Sequence, residues 1–143
     1  MRRALELAKM AEQAGEVPVG ALVVIDNEII AEGFNRPISE HDPTAHAEIV
    51  AMRIASKKIG NYRLLNSTIY VTLEPCVMCI GAMMHARIKR LVYAAKDPKT
   101  GAVHSKFNLL EKGLFNHQME CDSSILAEES SSLLRNFFQA RRG

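Results

Sequence analysis

Apolar residues recur at two different spacings in the first third of the chain, and they predict a helix followed by a β-hairpin. The first stripe has the i, i+3, i+4, i+7 spacing of an amphipathic helix and stops at Gly15, as a helix closed by glycine does. This stripe consists of Ala4, Leu7, Ala8 and Ala11. Two β-rich runs follow, 17–25 and 29–33, and the polar pair Asp26 and Asn27 between them suits a tight turn.

Proline and glycine punctuate the middle of the chain and predict two further helices on either side of a strand. Asp42 offers an N-cap and Pro43 the first helical position of a helix that runs to about Gly60. The run 68–73 is a strand by composition, and Pro75 then opens the next helix.

The last third of the chain completes an alternation of strands and helices. Its predicted elements are a strand at 90–94, a loop at 97–101, a short helical piece near Leu109, a weak strand around Met119 and a C-terminal helix from about Ser123. Taken together, the elements predict a three-layer α/β domain that contains a βαβ unit. A length of 143 residues allows a sizeable core, so one domain over 1–143 is expected.

The C-terminal helix is expected to bury part of its surface. The serine run 130–132 is flanked by apolar residues at helical spacing, which indicates a helix face and not a low-complexity linker. Phe137 and Phe138 are expected to make core contacts, and the methionines, including Met83 and Met84, to fill the core.

Composition and charge narrow the class of protein without identifying it. With 48% hydrophobic and 24% charged residues, the chain is typical of a folded domain and unlike a disordered or fibrous one. A net charge of +2 neither demonstrates a nucleic-acid partner nor excludes a local basic patch.

The longest apolar stretch, 17–25, is far shorter than the ~20 residues of a membrane helix, so no membrane span is expected. An odd number of cysteines, with two in a C-x-x-C, indicates metal or redox chemistry in a reducing compartment, and a cytoplasmic location is expected.

Four residues carry the candidate chemistry: His46 and Glu48 in H-A-E, and Cys76 and Cys79 in P-C-V-M-C. Two cysteines three positions apart share one helix face, and a helix N-terminus lowers the pKa of their thiols. One imidazole and two thiolates form a three-ligand zinc set that leaves the fourth position for water, as a catalytic site requires. Glu48 then remains as a candidate base.

Each half of this pattern also has a simpler interpretation. A C-x-x-C alone is compatible with a redox pair, half of a structural zinc site or coincidence. Glu48 alone is compatible with a solvated helix carboxylate, and His46 alone with a core histidine. The joint pattern is more specific, because H-x-E…P-C-x-x-C is the signature of the zinc deaminases, so the assignment is a motif match. The remaining histidines and Cys121 belong to no paired motif and receive no ligand role.

Over essentially its whole length, the chain resembles the bacterial tRNA-specific adenosine deaminase family of the zinc-dependent cytidine/deoxycytidylate deaminase superfamily. The segments that carry the resemblance are V-P-V-G-A from Val17, N-R-P-I from Asn35, H-D-P-T-A-H-A-E-I from His41, Y-V-T-L-E-P-C-V-M-C from Tyr70, D-P-K-T-G-A from Asp97 and F-F-Q-A-R-R from Phe137. The resemblance implies a three-layer α-β-α cytidine-deaminase-like fold with a central mixed sheet of about five strands flanked by helices.

The resemblance also implies an activity and the residues that perform it. The expected reaction is the hydrolytic deamination of adenosine to inosine at the wobble position of a tRNA anticodon, in an arginine tRNA, with zinc-activated water as nucleophile. His46, Cys76 and Cys79 would bind Zn²⁺ and Glu48 would shuttle protons. Asn35 would hydrogen-bond the target base. Asp97 would help to position the flanking nucleotides; taken without the resemblance, Asn35 is also compatible with a loop residue and Asp97 with a turn initiator.

A homodimer that shares its RNA site between chains is a further expectation. The segment 81–84 is rich in small and flexible residues and suits close packing against a second copy, although packing within one chain explains it almost as well. The candidate phosphate-binding residues are Arg87, Lys89, Arg90, Arg141 and Arg142. Two alternatives stay open: a zinc deaminase of a free base or nucleotide, and a non-catalytic zinc-stabilised RNA-binding module.

Overall fold

The computed structural model describes residues 1–142 and shows four helices around a five-stranded sheet. The helices are α1 (Arg2–Gln13), α2 (Ala47–Ile59), α3 (Val77–Ala86) and α4 (Ala127–Arg142). The strands are β1 (Gly20–Ile25), β2 (Glu28–Phe34), β3 (Ser67–Leu73), β4 (Arg90–Ala95) and β5 (Glu120–Asp122). In the order β2-β1-β3-β4-β5, β1 is antiparallel to both neighbours, and β3, β4 and β5 are parallel. The prediction of a mixed sheet of about five strands is confirmed.

The two faces of the sheet carry different helices, which makes three layers. Because successive strand residues point to opposite faces, Leu22 packs with Ala4 and Leu7 of α1, whereas Val23 belongs to the larger core with Met83 of α3. Helix α4 packs beside α1, and α2 packs beside α3. This arrangement confirms the three-layer α/β prediction.

The predicted hairpin is present, and its turn has the expected chemistry. Asp26 and Asn27 both have positive φ, 51° and 61°, as the two central residues of a type I′ turn require. Strand β1 begins at Gly20, where an added Cβ would lie 2.1 Å from the carbonyl oxygen of Ala4. Glycine at this position therefore allows α1 to approach the sheet closely.

The βαβ unit is formed by β3, α3 and β4, and it positions the candidate site. Strands β3 and β4 are parallel, with Thr68 opposite Arg90 and Leu73 opposite Ala95. Their carboxyl ends therefore lie at one edge of the sheet, and α3 begins at this edge. In α/β sheets, this is the edge at which ligands bind.

The start of α2 differs from the prediction at Asp42 and Pro43, because the helix begins at Ala47. The Asp42 carboxylate accepts hydrogen bonds from the backbone N–H and the hydroxyl of Thr44, at 2.8 and 2.7 Å. It therefore closes a local turn and caps no helix. The predicted end is correct, since Gly60 is the left-handed C-cap with φ of 72°.

Two further predictions in the second half are wrong in detail. Helix α3 begins at Val77 with Cys76 as its N-cap, and the carbonyl of Pro75 instead accepts a hydrogen bond from Ala102 N–H at 2.8 Å. The helical piece predicted near Leu109 is a turn, in which the N–H of Leu109 bonds back to the carbonyl of Ala102.

The C-terminal helix begins later than the predicted Ser123. Ser124 and Leu126 have positive φ, 66° and 59°, and this left-handed backbone delays the helix until Ala127. The serine run lies on the helix as predicted, and the buried Ser130 hydroxyl donates to the carbonyl of Thr72.

The aromatic pair near the end of α4 lies outside the core, contrary to expectation. Phe137 is half-buried and Phe138 is 44% exposed, and neither belongs to the core clusters of residues 1–142. Met83 and Met84 are buried, as predicted. None of the helices in residues 1–142 has both the length and the apolar composition needed to cross a membrane.

Candidate metal centre and active site

Three metal-ligating side chains meet where α2 and α3 begin. His46 is the N-cap of α2, Cys76 is the N-cap of α3, and Cys79 lies in the first turn of α3. The Nδ1 atom of His46 lies 3.6 Å from each of the two Sγ atoms, and the three ligand atoms all lie within 4.8 Å of one another. In residues 1–142, no second group of three His, Cys, Asp or Glu side chains is this close.

The spacing of these atoms fits a tetrahedral zinc ion. Zinc bonds of about 2.3 Å to sulfur and about 2.0–2.1 Å to nitrogen, at a tetrahedral angle, place the nitrogen roughly 3.6 Å from each sulfur. This is the separation between His46 Nδ1 and the sulfurs of Cys76 and Cys79. The donor set is one imidazole and two thiols, so three protein ligands leave one position open.

The contacts among the three side chains favour a thiolate at one of them, Cys76. A hydrogen bond from the Cys79 thiol, with the help of His46, lowers the pKa of Cys76 to about 4 against the effect of burial. The same contact, together with burial, raises the pKa of Cys79. The contact with Cys76 also raises the pKa of His46. The thiolate form of Cys76 is therefore favoured, and the dipole of α3 stabilises it further because Cys76 lies at the N-terminus of this helix.

Glu48 lies in the first turn of α2, two residues after His46, and is 4% exposed. Burial raises the pKa of its carboxyl group. A carboxyl group in such an environment exchanges a proton more readily near neutral pH than an exposed glutamate does.

A cavity of about 210 Å³ opens beside these residues and brings the predicted site residues together. Its lining consists of Val17, Val19, Asn35, Pro37, His46, Glu48, Leu73, Glu74, Cys76, Asp97 and Thr100. Of the predicted set, Cys79 alone is absent from this lining, because it is completely buried behind Cys76 in the core.

Asn35 joins the cavity to the start of α2. Its Oδ1 accepts a hydrogen bond of 2.8 Å from the backbone N–H of Ala47. This bond satisfies one of the free N–H groups at the start of the helix. Since Oδ1 is engaged, the amide NH₂ is the polar end that remains for a ligand.

Asp97 shapes a loop at the cavity mouth. Its Oδ1 accepts hydrogen bonds from the N–H groups of Lys99 and Thr100, at 3.0 and 3.2 Å, and its Oδ2 accepts one from the Thr100 hydroxyl at 2.8 Å. The carboxylate therefore holds its own turn, and Lys96 and Lys99 beside it are exposed.

Glu74 is a functional candidate that the sequence reasoning missed. It is 2% exposed, and its carboxylate accepts five hydrogen bonds from the loop 97–105. Burial raises the pKa of Glu74, but these hydrogen bonds outweigh burial and lower it to about 2. The one available signal was a charged residue at the end of an apolar strand, directly before Pro75.

Glu16 holds the segment directly after Pro37, which lines the cavity, in a similar way. Its buried carboxylate accepts hydrogen bonds from Ile38 N–H at 3.1 Å and from both the N–H and the hydroxyl of Ser39 at 2.8 Å. Burial raises the pKa of Glu16, and the bonds from Ser39 and Ile38, with the nearby Arg141, reverse this effect and lower it. Two loops at the cavity are thus each anchored by a buried carboxylate.

The predicted basic residues do not surround the cavity within one chain. Arg87, Lys89 and Arg90 lie before or at the start of β4, at the sheet edge opposite the cavity, and Arg90 pairs with Asp122 at 2.7 Å. On α4, the guanidinium of Arg141 stacks on the Phe137 ring at 4.7 Å and donates to the carbonyl of Gly15.

A three-layer fold with H-x-E and C-x-x-C at two adjacent helix starts defines a deaminase of the zinc type. The sequence profile of the MafB19-like deaminases matches residues 1–142. The tRNA-specific adenosine deaminase of Haemophilus influenzae (strain ATCC 51907 / DSM 11121 / KW20 / Rd) is 59% identical over 143 residues, covering 99% of this chain and 83% of the relative. The Bacillus subtilis (strain 168) protein of the same name is 45% identical over 142 residues, covering 99% of this chain and 88% of the relative.

The fold of the chain is also similar to that of a solved deaminase structure. A solved structure from a study of A-to-I editing by tRNA:A34 deaminases at the wobble position is 42% identical, with a TM-score of 0.91. The match covers 94% of this chain and 97% of that chain. The chain therefore belongs to the MafB19-like deaminases and, among them, to the tRNA-specific adenosine deaminase family.

Proposed function

We propose that this protein catalyses the hydrolytic deamination of adenosine to inosine at the wobble position of a tRNA anticodon, with an arginine tRNA as substrate. The observation that carries the proposal is the buried Glu48 carboxyl group beside the His46, Cys76 and Cys79 cluster, in a cavity that also contains Asn35. The family to which the chain belongs supports tRNA as the substrate.

His46, Cys76 and Cys79 would hold one Zn²⁺ per chain. Bound by three protein ligands, zinc supplies Lewis-acid activation of a water molecule. Because both thiols become thiolates when they bind metal, the pair balances the charge of the ion and leaves the Glu48 carboxylate unligated.

Replacement of Cys79 by alanine tests the metal assignment. The Cys79→Ala variant is expected to lose zinc and to be less stable, since the metal also ties α2 to α3. Metal analysis and thermal unfolding of the purified protein measure both effects. A folded Cys79→Ala protein with one zinc per chain would contradict the assignment.

Glu48 transfers the protons of the reaction. It takes one proton from the attacking water and delivers it to N1 of adenine. It then takes the second proton from the same oxygen, now bonded to C6, and delivers it to the amino group, which leaves as ammonia. One positioned acid/base group accelerates a reaction by roughly 10²–10⁴-fold. Burial of Glu48 suits this role, because the group must be able to hold a proton as well as release it.

Asn35 holds the base and Asp97 positions the adjoining nucleotides. The amide NH₂ of Asn35 donates to the base, while its Oδ1 remains on Ala47. Asp97 acts through the turn that it closes with Lys99 and Thr100, at the cavity mouth. Anticodon-loop bases are turned out of the stack more readily than paired bases, which suits a cavity of this kind.

A homodimer is part of the proposal. Helices α2 and α3 form a groove of about 480 Å³, and the 65% exposed Tyr62 lies on it. Its lining combines apolar residues such as Met52 and Ala82 with the polar side chains of Arg53, Ser56, Lys57 and His85. A second copy seated there would bring further cations to the RNA, beyond the net charge of +2 that one chain carries. Light scattering at micromolar concentration tests it, and a fully active monomer would contradict a shared site.

A substrate panel tests the reaction itself. An ACG anticodon stem-loop, guanine, cytosine and deoxycytidylate are offered in parallel, and ammonia release is measured for each. Release from the RNA alone is the expected result. Release from a free base or nucleotide would instead favour the small-molecule deaminase, and RNA binding without ammonia would favour the non-catalytic module.

A further inference from the structure

Glu74 is the most densely hydrogen-bonded side chain at the cavity, and none of its partners reacts. Its Oε2 accepts from the N–H groups of Val103, His104 and Ser105, at 3.0, 2.8 and 3.0 Å. Its Oε1 accepts from Asp97 N–H at 3.1 Å and from the Ser105 hydroxyl at 2.5 Å. Each acceptor position is directed at the loop 97–105, so the carboxylate acts as the centre around which this loop is folded.

This loop forms one wall of the cavity. Asp97 and Thr100 line the cavity mouth, and Glu74 itself lines its interior. The same loop is tied to the metal-binding turn, because Ala102 N–H donates to the carbonyl of Pro75 at 2.8 Å. Glu74 thus connects the end of β3 to the wall that a nucleotide would contact.

The loop is fitted to the carboxylate with little free space. A Cβ added at Gly101 would lie 2.4 Å from Cδ of Glu74 and 2.6 Å from the carbonyl oxygen of Asp97. A hydrogen-bonded anion enclosed this closely allows one arrangement of the loop and resists others.

We propose that Glu74 is a positioning residue for the deamination, which holds the loop 97–105 as the cavity wall that orders the RNA substrate beside the reactive base. The inference rests on the proposed function, since it assigns the wall to RNA. Glu74 acts through the loop and performs no proton transfer, because all of its interactions here are bonds accepted from loop donors.

Replacement of Glu74 by glutamine gives the sharpest test. Glutamine keeps one acceptor oxygen and turns the other into an NH₂ group that faces loop donors, so the loop loses its fixed arrangement. With an anticodon stem-loop, the KM of Glu74→Gln is expected to rise at least tenfold. Its kcat is expected to stay within about threefold of the parent, and its zinc content to stay the same. Glu48 and the candidate ligands lie at the starts of α2 and α3, and the bond from Ala102 N–H to the carbonyl of Pro75 uses backbone atoms that the substitution leaves in place.

A matched control separates positioning from general loss of stability. Ser67 is buried at the start of β3, far along the strand from the cavity, and its hydroxyl donates to the carbonyl of Leu64. Ser67→Ala also removes a buried hydrogen bond, yet its KM is expected to equal that of the parent. The two variants are compared at temperatures equally far below their unfolding midpoints.

Hydrogen exchange gives a readout that does not depend on activity. The amides of Val103, His104 and Ser105 are expected to lose protection in Glu74→Gln and to keep it in Ser67→Ala. Retained protection, or a fall in kcat at unchanged KM, would overturn the positioning role. An inactive parent whose loop amides are still released by Glu74→Gln would instead overturn the proposed function and leave the anchoring of the loop established.

Discussion

Glu48 and Glu74 are two glutamates in one cavity, and their surroundings give them opposite properties. They are buried almost equally, at 4% and 2% exposure. Burial raises the pKa of Glu48, whereas five donors override burial at Glu74 and lower its pKa to about 2. The difference shows that the supply of hydrogen-bond donors, and not burial alone, separates a carboxyl group that can exchange protons from a fixed anion.

Four of the five donors at Glu74 are backbone N–H groups of an irregular loop, and this explains the contrast. Glu48 lies in the first turn of α2, where Asn35 already occupies the free N–H of Ala47. Within residues 1–142, the Glu48 carboxyl group has only its own backbone N–H and the Cys79 thiol as donors. The loop 97–105 has N–H groups that no helix or strand occupies, and it offers three in succession to Glu74. A carboxylate next to such a loop becomes part of its structure.

The largest expected effect is that of replacing Glu48. Glu48→Gln is expected to lower the deamination rate by about 10²–10⁴-fold, because the amide cannot take a proton from water. Zinc content is expected to remain at the parent level. The unfolding free energy is expected to stay equal or rise, since a buried ionisable group is replaced by a neutral one. Single-turnover kinetics, metal analysis and urea unfolding measure these three quantities.

A Glu48→Gln protein that deaminates RNA at the parent rate would remove the distinction between the two glutamates. A large loss of stability in this variant would have the same consequence, because Glu48 would then be a structural anion like Glu74.

The grouping of the candidate metal ligands was predictable because the physics behind it is local. Cys76 and Cys79 lie three positions apart, and the strand-to-helix pattern places both at one helix start. His46 and Glu48 lie two positions apart, so they also stay close together at the start of α2. The parallel β3 and β4 and the hairpin turn were predictable for the same reason, since composition and turn residues specify them within short windows.

The hydrogen bonds of Glu74 and Asn35 were not predictable from such short windows. The hydrogen bonds of Glu74 span 23 to 31 positions, and the Asn35 bond to Ala47 spans 12. The periodicity of apolar and polar residues does not predict contacts between residues so far apart in the sequence. The start of α2 was misplaced for a different, local reason. Asp42 has a side chain suited to an N-cap, but its carboxylate accepts hydrogen bonds from Thr44 and closes a turn before the helix.

The next effect tests how closely the loop is fitted to Glu74. Gly101→Ala is expected to destabilise the protein by ~1–3 kcal/mol, because its Cβ would overlap the Glu74 carboxyl group. In a Glu74→Ala background, the same change is expected to cost less, with the contact to the Asp97 carbonyl oxygen remaining. Urea unfolding of the four proteins gives the coupling, and purely additive effects would contradict a loop fitted around the carboxylate.

Two substitutions of Asn35 separate the contact made by its Oδ1 from the contact made by its NH₂ group. Asn35→Asp keeps the oxygen that accepts from Ala47 N–H but removes the NH₂ donor, so base capture is expected to weaken by ~1–3 kcal/mol at nearly unchanged stability. Asn35→Ala removes both contacts and is expected to be less stable as well, by about 1 kcal/mol for the lost helix cap. Parent-like kinetics of Asn35→Asp at subsaturating RNA would exclude the amide from base binding.

The smallest effect concerns Glu16, which resembles Glu74 in kind but accepts fewer bonds. The side-chain amide introduced by Glu16→Gln would still accept one hydrogen bond from the loop, so the loss at pH 7 is expected to be about 1 kcal/mol. The pKa of Glu16 in the folded protein lies below its ordinary 4.5, with Ser39, Ile38 and the facing charge of Arg141 opposing burial. Its contribution is therefore complete above pH 4.5 and is lost as the pH falls through the lower, folded-state pKa. Urea unfolding of both proteins from about pH 7 to about pH 3 is expected to show a difference that shrinks in this acidic range. Since the metal ligands are the same in both proteins, their titration cancels in the difference, and a gap that stays constant with pH would show that Glu16 is not held as an anion.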